Sequence, residues 1–263
     1  MKTSNKIILG AILLATIIVL YIPVKVIGFV NKSVEESGSF ELYQYSDTDV
    51  RDFISDSSFK TTIGQGNEVN KTVNIDKSFA HLKISGAARI ELYQKQNISV
   101  ELSDYENLIA LTEIKVVADT LLIKYKDEIN LKNLKTKVKI SLPNLKSITC
   151  ENNRNEIKTV GDFNFDTLDL SVAGSSNFRM RGKVNNLKLN VSGKSYAQIR
   201  KLICKNASYD ISATGNGTIE TTVTDTMNAE ISGYGRIFYK GTPKKINKNI
   251  SGGGDIIEYP LTK

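Results

Sequence analysis

The sequence predicts an all-β, β-helix-like solenoid of about 20-residue coils preceded by one N-terminal transmembrane helix, and three observations predict it. One phrase recurs through the last third of the chain. It stands at Val172 to Phe178 (VAGSSNF), Val191 to Ile199 (VSGKSYAQI), Ile211 to Ile219 (ISATGNGTI), Ile231 to Ile237 (ISGYGRI) and Ile250 to Ile256 (ISGGGDI), with openings 19, 20, 20 and 19 positions apart. A regular period in this range marks coils stacked on one another. Upstream, segments such as 69–75, 98–102 and 135–142 alternate apolar and polar residues, the period-two pattern of strands with one buried face. Ahead of both, Ile7 to Val24 carries no charge, which is the length of an apolar membrane span.

Taken in order, residues 1–30 read as a membrane anchor. Lys2 and Lys6 precede the apolar run and Lys25 closes it; eighteen residues at a helical rise reach about 27 Å, enough to span a bilayer marginally. An uncleaved anchor is expected over a cleaved secretory signal, because the run is long and ends without a small-x-small site. Residues 31–60 are a polar spacer. Its Asp47, Asp49, Asp52 and Asp56 lack the glycine turn and closing bidentate Glu of a Ca²⁺ loop.

Residues 61–263 form the solenoid. Each phrase places a β-branched residue, a small polar residue, a glycine and a second large apolar residue, so two strands flank a corner. Gly86, Gly174, Gly193, Gly215, Gly233 and Gly252 are expected at positive φ in those corners. Gly182 falls between phrases, in an expected surface turn where substitution is tolerated. A buried Val or Ile contributes roughly 1.5–3 kcal/mol, too little to order a lone coil against its chain entropy, so stability must be shared along the stack.

One outward face concentrates cations. Lys135, Lys137 and Lys139 alternate with Thr136, Val138 and Ile140, and Lys124 and Lys126 flank Tyr125. If the two strands pair, five ammonium groups share a surface, either an anion-binding patch or an edge charged against aggregation. The formal net charge of +7 suits an anionic partner and equally suits ordinary solubility.

Catalytic constellations are sparse. His81 is the single histidine, with no nucleophile signature near it in sequence. The shared variable position of the phrases offers Asn177, Lys194, Gly217, Arg236 and Asp255, one carboxylate where a polysaccharide-cleaving site needs a pair. Gly252 to Gly254 lack the Lys-Ser/Thr of a phosphate loop. Cys150 and Cys204 lie more than two repeats apart, too far for a disulfide at one strand spacing per coil, and with one histidine they make no metal site.

The phrases 84–90 (ISGAARI), 191–193, 231–237 with its continuation to Pro243, and 250–256, together with Thr62 to Asn67 (TIGQGN) and the approach 78–86 (SFAHLKISG), resemble the head GIN domain of auto-transporter adhesins, a bacterial envelope family. The resemblance covers about residues 60 to 260. It implies a right-handed β-helix-like fold, an envelope location and an adhesive role, and it brings no catalytic residues with it. The chain departs from the pattern at Ala173-Gly174 and at Thr214, where the corners are expected to differ.

The resulting expectation is a non-enzymatic, single-pass envelope protein with its C-terminal domain outside the cytoplasm, presenting a solenoid surface for binding or adhesion. Its expected partners are the membrane through the N-terminal helix, an anionic glycan or other envelope component at the lysine face, and a second copy of the chain. No nucleic acid, cofactor or metal is expected. A polysaccharide-active enzyme and a purely structural self-associating scaffold are the alternatives.

Overall fold

The computed structural model describes residues 60–126, 129–212 and 216–259. The chain enters through β1 (Lys60–Ile63), β2 (Glu68–Val73), β3 (His81–Ile84), β4 (Arg89–Gln94) and β5 (Ser99–Tyr105), makes one short helix, α1 (Glu106–Ile109), and continues through β6 (Thr112–Val117), β7 (Thr120–Tyr125), β8 (Ile129–Lys132), β9 (Lys137–Leu142), β10 (Ser147–Asn153) and β11 (Glu156–Thr159). Longer strands then follow one another: β12 (Phe163–Gly174), β13 (Asn177–Val191), β14 (Tyr196–Ile211) and β15 (Thr218–Ile231), closed by β16 (Arg236–Lys240), β17 (Lys245–Ile250) and β18 (Asp255–Glu258).

Parallel pairing stacks these strands in three columns. The first runs β7, β3, β10, β12, β13, β14, β15, β17. The second runs β9, β4, β11, β13, β14, β15, β16, β18. The third joins the opening half of β12 to the middles of β13, β14 and β15. Asn190 faces Asp210 and Asp210 faces Glu230, so one coil is about twenty residues, as the phrase spacing predicts.

Alternation explains the core. Ile84, Cys150, Val172, Val191, Ile211 and Ile231 stand in one register line of the first column, and all are buried. Phe165, Val184, Cys204 and Val223 make a similar line in the third. Cys150 and Cys204 are therefore free and buried on different faces, and burial pushes both thiols up to about 12. They serve as small apolar side chains.

The upstream part differs from a plain run of coils. β2 pairs antiparallel with β5, β5 with β9, and β6 with β7, so hairpins close the N-terminal end of the stack. Gly86 belongs to this cap. A Cβ there would stand 2.8 Å from the Tyr125 ring, whose hydroxyl donates to Ala87 O at 2.5 Å.

Most corner glycines are needed for a reason other than φ. Among the described residues Gly174 has φ of 93°, whereas Gly86, Gly193, Gly233 and Gly252 are not at positive φ, and Gly215 lies outside the described residues. Coil backbones pass too close for a side chain: a Cβ on Gly193 would meet Gly174 O at 2.2 Å, and one on Gly252 would meet Gly233 O at 2.3 Å. The corners are themselves bonded from coil to coil, Lys194 N to Gly174 O at 2.8 Å and Asn216 N to Gly193 O at 3.0 Å. Gly182, expected in a tolerant turn, lies inside β13 at φ of 121° with its Cβ position 1.9 Å from Phe163 O.

The expected transmembrane helix requires correction. Among the described residues no helix is long and apolar enough to cross a membrane, α1 being four residues, and residues 1–30 lie outside the described residues. Single-pass topology, the membrane as a partner and the location drawn from that topology have no helix to rest on and are withdrawn.

Candidate functional site

The lysine face does not assemble as a single cationic surface. β7 lies between β3 and β6, while β9 lies between β4 and β5, so Lys124 and Lys126 sit on a different column from Lys135, Lys137 and Lys139. Carboxylates stand against four of the five. Lys124 Nζ is 3.7 Å from Glu113, Lys137 Nζ 3.1 Å from Glu91 and Lys139 Nζ 2.8 Å from Glu101; Lys135 contacts Glu68 and covers the Tyr105 ring. Lys126 is exposed just past β7, its amide bonded to Leu111 O. Glu91 joins strands as well as charges, reaching Lys158 of β11 at 2.9 Å. Burial opposes its ionisation, but the Lys158 and Lys137 ammonium groups and the Tyr93 hydroxyl outweigh that and hold its carboxyl below the usual range. Opposite charges on neighbouring strands stabilise the sheet and leave little free charge for a ligand.

The outward face of the first column behaves differently. A shallow groove of about 430 Å³ crosses β13, β14, β15 and β17. Register places two polar rows along it. Lys188, Ser208, Asn228 and Asn247 form one; Asn190, Asp210, Glu230 and Asn249 form the other. Between them the intervening Leu189, Tyr209 and Ala229 turn into the core. The last coil bonds to the one before it, Asn247 Nδ2 donating to Asn228 Oδ1 at 2.6 Å. Among the described residues the side chains of Lys188, Asn190, Ser208 and Asp210 have no hydrogen-bond or ion-pair partner.

Sequence reasoning missed these rows although a signal was present. Asn190, Asp210, Glu230 and Asn249 each immediately precede the opening residue of a phrase. The phrases drew attention to their own variable positions, and two of those, Arg236 and Asp255, lie side by side on the second column, away from the groove.

Two further clusters emerge. His81 Nδ1 lies 2.6 Å from Ser147 Oγ, and its Nε2 lies 3.7 Å from Asp119 Oδ2, an arrangement of nucleophile, base and acid that parallel stacking brings together from 66 positions apart. The amides of Lys146 and Ser147 both go to Ala80 O, so neither is left to hold an oxyanion. On the second column Glu220, buried, accepts from the Tyr196 hydroxyl and, at 3.2 Å, from the Tyr259 hydroxyl. Its other oxygen lies 2.9 Å from Arg200 Nε, close enough to pair as ions but without an aligned hydrogen bond. Among the described residues no group of three or more His, Cys, Asp or Glu side chains comes together to hold a metal.

One family model and one solved structure support the fold. A family model described as "Putative auto-transporter adhesin, head GIN domain" matches residues 78–243. Among solved structures, a "putative adhesin" from Bacteroides fragilis NCTC 9343 is similar with a TM-score of 0.62 at 18% identity, covering 75% of this chain and 100% of that one. A "putative lipid binding protein" from Parabacteroides distasonis ATCC 8503 gives 0.47 at 21% identity, covering 76% and 100%. No curated protein matches the chain.

Proposed function

The chain belongs to the auto-transporter adhesin head GIN domain family, and from that premise we propose that its coiled domain is a non-enzymatic binding module of the bacterial envelope, engaging its ligand through the groove on the first column. The observation that supports this reading is the free polar row. Around β9 the outward charged side chains pair across strands, as at Glu91 and Glu101, whereas Lys188, Asn190, Ser208 and Asp210 make no side-chain hydrogen bond or ion pair within the described residues. Unpaired polar groups in register on a rigid sheet lose little freedom when they bind.

A second reading has one observation in its favour: Asp210 and Glu230 are register neighbours in the groove, and glycoside cleavage uses paired carboxylates. Both are exposed on the same row, without the apolar pocket that sets an acid apart from its partner base. Binding without turnover is therefore the better supported of the two.

The test uses the full-length chain coupled to beads and a panel of immobilised envelope and extracellular polymers. Retention on at least one polymer is expected, and it should fall at least tenfold in an Asn190→Ala, Asp210→Ala, Asn228→Ala variant whose melting temperature is unchanged. Absence of retention, or equal retention of the variant, overturns the groove assignment. Shortening of the recovered polymer would transfer the reading to an enzyme.

A further inference from the structure

Resting on that reading of the groove, we infer that its ligand is a neutral, hydroxyl-rich chain, an uncharged oligosaccharide laid along the stack axis across β13, β14, β15 and β17. The charges of the two rows are mixed. Lys188 stands at the β13 end and Asp210 and Glu230 in the middle, while the Lys248 ammonium lies over the Tyr239 ring, so a polyanion would meet carboxylates in the middle of its track, and a polycation would meet Lys188 at one end of it. Apolar ligands fare no better, because the side chains that face outward in both rows are polar.

The functional groups match hydroxyls. A hydroxyl donates one hydrogen bond and accepts others, so a run of them needs donors and acceptors interleaved. Asn190 and Asn228 supply both, Ser208 supplies both, Lys188 donates, and Asp210 and Glu230 accept. Phosphate or sulfate would need donors alone.

Direction follows from the register. Neighbouring coils repeat the rows at the strand spacing of about 4.8 Å, so the four coils offer a track of roughly 14 Å along the axis. An extended peptide would instead seek unpaired backbone, and β13, β14 and β15 are paired on both sides in this column. The repeated groups of the track suit a ligand that itself repeats.

Calorimetric titration of the full-length chain with short neutral glucan, mannan, xylan and N-acetylglucosamine oligomers tests this, with heparin and polygalacturonate as anionic counter-probes at low and high salt. Binding of at least one neutral oligomer is expected, weakened about tenfold by Asn190→Ala or Asn228→Ala and changed less than about twofold by salt, because the ligand carries no charge to screen. Binding confined to the anionic polymers and abolished by salt would overturn the inference. So would bead retention that depends on the groove yet is not competed by any neutral oligomer; that result leaves the groove in place and removes only its ligand class. Loss of bead retention altogether removes the functional reading first, and this inference with it.

Discussion

Two glycines separate the demands of conformation from those of space. Gly161 and Gly182 both hold positive φ, 87° and 121°, but a Cβ on Gly161 meets nothing within 4 Å, whereas on Gly182 it would overlap Phe163 O. Gly161→Ala should therefore cost only the left-handed penalty, about 1–2 kcal/mol. Gly182→Ala adds a collision with a backbone atom of the preceding coil, which cannot rotate away, and about 3–5 kcal/mol or failure to fold is expected. Urea unfolding midpoints compare them; equal losses would show that φ alone sets both. The sequence marks Gly193, Gly233 and Gly252 as special by their place in the phrase, and structurally they are, but by contact with another coil. Such contacts join residues about twenty positions apart, which no local pattern displays, and Gly182 has no phrase around it to draw attention at all.

At the scale of strands, Glu91 ties β9, β4 and β11 together. Its carboxyl is held below the ordinary Glu range, so the folded state favours the ionised form more than the unfolded chain does. The stability this adds is present above the unfolded value and is lost as pH falls through the lowered folded one. Glu91→Gln should cost about 1–2 kcal/mol at neutral pH, and its melting temperature should converge on that of the parent protein as the solution is acidified below the ordinary Glu range. A gap that stays constant into acid would mean that packing, not charge, accounts for the loss. Alternation along 135–140 correctly places Lys137 and Lys139 outward, yet it is silent on what lies opposite. Glu91 and Glu101 reach them through parallel and antiparallel register, and register is a property of two strands, not one. The groove rows were hidden for the same reason: Asn190, Asp210 and Glu230 become a row only once the coils stack.

Across the whole stack the two ends are unlike. Hairpins and α1 cover the N-terminal end, while among the described residues β17 and β18 each pair on one side only and leave Ile250 and Ile257 exposed. Tyr259 secures the open end. Its amide bonds to Tyr239 O at 2.8 Å, its hydroxyl to Glu220, and its ring packs on Phe238 beneath Arg200. Tyr259→Ala should raise amide exchange about tenfold in β17 and β18 while β10 and β12 keep their protection, since each coil is supported by its neighbours. A uniform rise along the chain would instead mean that the coils open as one unit. The glycine corners carry a different consequence, one for ancestry. Two corners rest on the corner before them, Gly193 on Gly174 and Gly252 on Gly233, so duplicating or deleting one whole coil between them repeats a junction the stack already contains. Gene duplication in steps of about twenty codons can thus lengthen or shorten the polar track without redesigning the fold, and descendants of this chain can differ in reach while keeping the same rows.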